Sequence, residues 1–132
     1  MHFSEVPRQA VTIFEKKVKE SKSKKERIAS RYGLALAYSK TKSHLNALKI
    51  LREALEEDSE NLTLQIGILE LHIEAENFFE AEALASSLLS TNPDNYPITM
   101  LYNKVLMNKG DYELGEELLL SLIHISEPTR QV

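Results

Sequence analysis

The phrase Phe78-Phe79-Glu80-Ala81-Glu82-Ala83-Leu84-Ala85 sets a small residue, Ala81, among large apolar neighbours at helical spacing. The same outline stands upstream in His44-Leu45-Asn46-Ala47-Leu48-Lys49-Ile50-Leu51 and, at an equal offset, downstream in Tyr112-Glu113-Leu114-Gly115-Glu116-Glu117-Leu118-Leu119. Ala47, Ala81 and Gly115 thus recur with a period of 34, where a second helix must approach closely. Self-similarity at this period is the signature of stacked helix-turn-helix units, which share one core because none buries its apolar stripe alone. The expected fold is all-α, a helical solenoid of antiparallel helix pairs.

Outward from these phrases the chain reads as further helices. Ser4 can cap a first helix with Pro7 in its first turn, and Val6, Ala10, Ile13, Phe14 and Val18 give it an apolar face. Ser23 and Glu26 form a capping-box signal for the next, which carries Ile28, Tyr32, Ala35, Leu36 and Tyr38. In the helix after Ser43, Leu45, Leu48, Leu51 and Leu55 are expected to face inward, and Phe78, Phe79, Leu84, Leu88 and Leu89 carry the helix after Asn77. Asn77 with Glu80 repeats the cap signal. Thr91-Asn92-Pro93-Asp94-Asn95 stops one helix and starts another, Pro97 sits in a first turn, and Gly110 is a left-handed cap. The spacing predicts helices near 5–20, 24–41, 44–57, 61–76, 78–90, 95–109 and 112–122. Such short connections make sequential helices antiparallel neighbours.

The 132 residues suit one domain, and the absence of cysteine excludes disulfides, thiolate zinc sites and cysteine nucleophiles. No apolar run approaches the roughly 20 residues of a membrane helix, and no signal-peptide core follows Met1. The chain therefore reads as cytosolic, or as part of an exported protein with its front end upstream. A net charge of −4 conceals an asymmetry: residues 1–31 hold nine Lys/Arg against four Asp/Glu, and residues 32–132 hold seven against sixteen. The lysine run from Lys16 to Lys25 lacks the interleaved aromatics that stack bases, so it reads as a solvated helix and no nucleic-acid partner is expected.

The pattern resembles the tetratricopeptide repeat. Leu34, Ala35 and Tyr38, then Ala47, Leu51 and Ala54, fall on that family's large and small positions in a first repeat. Leu69, Ala81, Ala85 and Pro93 do so in a second, where His72 replaces the tyrosine, and Gly110-Asp111-Tyr112, Gly115 and Leu119 do so in a third. The family's tryptophan is Arg31, Gln65 and Thr99 here, and Asn103 and Leu122 also depart from its pattern. The expected organisation is a leading helix over 1–22, then a repeat domain over 23–122 with repeats near 28–61, 62–95 and 96–122.

Two narrower resemblances follow. Ala10-Val11-Thr12-Ile13-Phe14-Glu15-Lys16-Lys17, with Tyr32-Gly33-Leu34-Ala35-Leu36-Ala37 opening the first full repeat, is similar to the C-terminal part of the periplasmic β-barrel assembly-enhancing metalloproteases. Asn92-Pro93-Asp94-Asn95-Tyr96 fits the same family. Those proteins carry a zinc peptidase domain with a His-Glu-x-x-His helix ahead of such repeats. The resemblance implies periplasmic location, a role in outer-membrane protein assembly, and partners among the assembly machinery or unfolded barrel substrates. It implies zinc only in the peptidase domain, since this chain lacks that motif and no catalytic residue carries over. The runner-up is a stand-alone repeat adaptor in bacterial secretion or pilus assembly. Separately, Leu120-Ser121-Leu122-Ile123-His124-Ile125-Ser126-Glu127-Pro128-Thr129-Arg130 resembles a translated transposase-type sequencing adapter. That makes residues 120–132 a non-native tail; a genuine helix end carrying Leu120 and Leu122 is the alternative.

The repeat register selects a candidate binding groove on the first helix of each pair. It comprises Tyr32 and Leu36, then Ile66, Glu70, Ile73 and Glu74, then Met100, Lys104 and Met107. An apolar groove with flexible methionines suits an extended or helical peptide. Chaperone-tail-binding repeats carry Lys and Asn at the positions of Tyr32 and Leu36, which disfavours that carboxylate clamp. The four histidines form no i, i+4 pair, and His72 at a core-facing position reads as a core side chain. Glu56-Glu57-Asp58 and Glu60 read as a solvated helix end. Gly33 and Gly67, themselves one period apart, mark either tight helix packing or the close approach of a ligand backbone.

Overall fold

The computed structural model describes residues 5–125, with side chains from 8 to 123. Seven helices and no strands occur among them: α1 (Glu5–Glu20), α2 (Lys24–Lys40), α3 (His44–Glu57), α4 (Leu62–Glu74), α5 (Phe78–Thr91), α6 (Tyr96–Lys109) and α7 (Tyr112–Ile125). The all-α class is as the periodicity implies. The chain divides into two compact units, Met1–Leu71 and His72–Val132, with the division inside α4.

One turn is built three times. Lys42, Glu76 and Gly110 adopt left-handed backbone, with φ of 65°, 60° and 87°. After each, an N–H reaches back over the end of the preceding helix: Ser43 to the Tyr38 carbonyl at 2.9 Å, Asn77 to His72 at 2.8 Å and Asp111 to Leu106 at 2.8 Å. This is the long bond of a Schellman-type helix end, which satisfies a carbonyl that the helix itself leaves unpaired. Each turn then accepts the first bond of the next helix, from Ala47 to Ser43, Ala81 to Asn77 and Gly115 to Asp111. Every donor and acceptor in these sets stands one period from its counterpart in the next. The helical repeat is therefore a property of the backbone as well as of the sequence.

The starts of the first helices also recur. Asn61 and Asn95, again one period apart, accept side-chain bonds from the N–H groups of Leu64 at 3.1 Å and Ile98 at 2.9 Å. Both are N-caps. Ser23 caps α2 as expected, accepting from the Glu26 N–H at 3.1 Å, while the Glu26 carboxylate accepts from the Lys22 N–H at 3.0 Å. Asn77 departs from expectation and makes no side-chain cap bond. Its amide stands 3.5 Å from His72 Nδ1 instead, so it serves the turn rather than the helix. The Ser4 cap lies outside the described residues.

In the first unit, α1 pairs with α2 and α2 with α3. Arg27 near the start of α2 meets Glu57 at the end of α3, which makes that pair antiparallel. Its core includes Leu34, Ala35, Ala47, Leu51, Leu64 and Leu69, all buried. Gly33 lets the Phe14 ring lie against α2: a Cβ there would fall 2.7 Å from Phe14 Cδ1. At Gly67 a Cβ would lie 3.3 Å from Leu51 Cδ1 and 3.4 Å from Tyr32 Cε2, so α4 touches both α2 and α3. Both glycines thus serve packing.

In the second unit, α6 pairs with α5 and α7. Ala81, Ala85, Ile98, Val105 and Leu106 are buried, and so is His72. Asn103, at the register of Ala35 and Leu69, is buried too, and its amide donates to the Gly115 carbonyl at 2.6 Å. Three apolar side chains expected inside are not: Leu45 and Phe79 are each 82% exposed, and Ile13 is 55% exposed. Leu45 and Phe79 share a register position in the first turn of a second helix, before that helix comes under its neighbour. α7 continues past Leu119 to Ile125. Of the adapter-like segment, the part after Ile125 lies outside the described residues.

Candidate functional site

α2 and α4 begin side by side and leave a cleft of about 490 Å³ between their first turns. Lys24, Lys25, Ile28, Ala29 and Tyr32 of α2 form one wall. Asp58 and Asn61 of the connection, with Thr63 and Leu64 of α4, form the other. The spacing on α2 explains its wall: Lys25, Ile28, Ala29 and Tyr32 follow at i, i+3, i+4 and i+7, which places them along one face. On the facing side, Asn61 accepts from the Leu64 N–H and donates its amide to Asp58 Oδ2 at 3.2 Å. The Asp58 carboxylate is thereby committed to the turn.

Behind this cleft Glu57 binds two cations. Arg27 Nε lies 3.1 Å from its Oε1 and Arg31 Nη1 lies 3.0 Å from its Oε2. All three side chains are half-buried, so the pairing is less screened than a surface bridge. Arg31 acts here as a fastener between α2 and α3.

Tyr32 is half-buried against Gly67. Burial first, and then the Glu70 carboxylate, push its phenol above the ordinary tyrosine value. The hydroxyl therefore stays protonated at neutral pH and available as a donor. Leu36, one turn further along α2, is 50% exposed. Ile66 is half-buried and Glu70 exposed on α4. Tyr32 is the one candidate groove residue that lines this cleft; Lys24, Lys25 and Thr63 line it and escape the repeat register used above. Their signal is their place in the first turn of α2 and of α4, and their proximity depends on how those turns pack.

The second-unit candidates behave differently from one another. Ile73 is 7% exposed and belongs to the core, a correction: register alone does not set burial, since Met107 at the same register position is 42% exposed. Glu74, Met100 and Lys104 are exposed. Met107 is partly exposed, but its sulfur packs over Gly115, within 3.0 Å of where a Cβ would stand. It therefore also serves the α6–α7 contact. Between α5 and α6 a smaller hollow of about 240 Å³ is formed by Phe79, Glu82, Ala83, Ser86, Tyr102 and Lys109. Lys109 pairs with Glu82 and stands 5.9 Å from the Phe79 ring centroid.

Among the described residues no three His, Asp or Glu side chains converge as a metal site would require. No helix among them is long and apolar enough to cross a membrane. No protein-family model and no curated protein matches the chain.

Proposed function

We propose that the chain is a tetratricopeptide-type repeat protein that binds peptide segments of partner proteins through the first helices of its pairs. The observation that carries this reading is the open cleft between α2 and α4, with apolar Ile28 and Ala29 beside exposed lysines. Concave sites that combine apolar walls with a few polar groups are the usual places for ligands. The threefold recurrence of the Lys42, Glu76 and Gly110 turn supports the repeat assignment.

The resemblance of residues 10–17 and 32–37 to the β-barrel assembly-enhancing metalloproteases supports a narrower proposal. The chain would be the partner-binding region of a periplasmic zinc endopeptidase, gripping assembly partners or unfolded barrel chains while a separate domain performs the hydrolysis. Genomic sequence upstream of Met1 tests this directly. A signal peptide and a His-Glu-x-x-His helix support it, and an in-frame stop before Met1 leaves the stand-alone adaptor.

The binding face is tested by selecting displayed peptides against the chain. Tyr32→Ala combined with Met100→Ala should weaken capture of the selected peptides with helicity near unchanged. Peptides indifferent to that pair but lost on Leu45→Ala would place recognition on the second helices and overturn the reading.

A further inference from the structure

We propose that the α2–α4 cleft selects internal peptide segments in which a carboxylate side chain adjoins a large apolar one. The inference rests on the peptide-binding reading above and adds the chemistry of the ligand.

Two ammonium groups stand beside an apolar wall. Lys24 and Lys25 line the cleft, are exposed, and have no acidic partner among the described residues. Of the carboxylates around them only Glu57 is neutralised; Glu26 and Asp58 keep their charge but are held by local bonds, so two lysines outnumber the one carboxylate that lines the cleft. Glu26 accepts from the Lys22 N–H at 3.0 Å. Glu57 is shared by Arg27 and Arg31. Asp58 accepts from the Asn61 amide at 3.2 Å. Each of these bonds is local to the fold, so none needs to break for a ligand to enter. Ile28 and Ala29 then offer apolar surface within the same cleft, with the buried Leu64 beneath, and Tyr32 a protonated hydroxyl. A purely apolar segment would leave the two ammonium groups unanswered, and a purely acidic one would leave the apolar wall wet. A segment carrying both satisfies both.

The position differs from the register sites at Tyr32 and Leu36, where no basic residue stands. The lysines lie in the first turn of α2, at the open entrance of the cleft. Charges placed there act mainly on encounter rate and on discrimination, and their contribution falls as salt rises.

The test uses the full chain and three short fluorescein-labelled peptides of one length, with leucine alternating with glutamate, glutamine or lysine. Fluorescence anisotropy at low and at physiological salt gives the affinities. The glutamate peptide should bind about tenfold more tightly than the glutamine peptide at low salt, with the gap narrowing as salt rises. Lys24→Gln with Lys25→Gln should close that gap, chiefly by weakening the glutamate peptide. Circular dichroism should not move, since both side chains are solvated. Equal binding of the glutamate and glutamine peptides, or a gap that survives the double substitution, overturns the inference while leaving peptide binding intact. Failure of all three peptides to bind overturns both.

Discussion

Glu76 and Lys42 occupy a backbone region that penalises any side chain with a Cβ, and Gly110 occupies it freely. The left-handed conformation is demanded by the turn, since the long bonds from Asn77 and Ser43 require it. Replacing Glu76 or Lys42 with glycine should therefore raise stability by roughly 0.5–1 kcal/mol, after allowing for the greater freedom of glycine in the unfolded chain. Gly110→Ala should lower it by about 1 kcal/mol, and urea midpoints of the three variants check both signs. Tyr32 makes a second prediction. Its pKa is raised in the fold, so the folded state holds the proton more tightly than the unfolded one. Stability is then full below the ordinary tyrosine value of 10.0 and falls as pH rises beyond it. Tyr32→Phe should flatten that alkaline decline in thermal melts across the range. The glycine of the third turn was readable as a helix stop. Lys42 and Glu76 were not, because nothing in either side chain announces a positive φ; only their standing two repeats and one repeat ahead of Gly110 does.

The helices themselves were legible almost to the residue, because each is bounded by a breaker with a physical role. Ser23 and Asn95 do cap, Pro97 does sit in a first turn, and Gly110 does end α6. α4 stops at Glu74, short of the expected end at position 76, because Glu76 is already left-handed. Burial within elements was less legible. Leu45 and Phe79 lie in first turns, where an apolar residue can satisfy the helical pattern yet project past the neighbouring helix. The small residues are better guides. Ala81 is fully buried, so Ala81→Leu should overpack the second unit at a cost of about 1–3 kcal/mol, read as a lowered melting temperature. An unchanged melt would show that the site yields. Gly33 fixes the docking of α1 through the Phe14 ring. Gly33→Leu should strip hydrogen-exchange protection from α1 while the α3 amides keep theirs; equal loss in both would mean that α1 is not a separable element.

Across the whole molecule the charge is divided as the chain runs, with a basic first quarter and no Lys or Arg between Glu53 and Asn103. That division was plain in the sequence, and Tyr32, a candidate there, does line the cleft. The cleft itself was not plain, because it joins Lys24 and Lys25 to Thr63 and Leu64 across a whole helix pair, and only packing brings first turns together. Ile73 shows the complementary error: register placed it on the face, and packing buried it, while Met107 at the same register stays partly exposed. Chain length in this molecule comes in quanta of one repeat. Excising residues 44–77 would join Ser43 to Phe78, and both sides of the join already have the backbone conformation the other expects. α2 would then pair with α5 in place of α3. The fasteners would not transfer, because Thr91 stands at the register of Glu57 and would leave Arg27 and Arg31 without their carboxylate. The backbone is thus written for editing in whole repeats, while its ion pairs are addressed to particular neighbours.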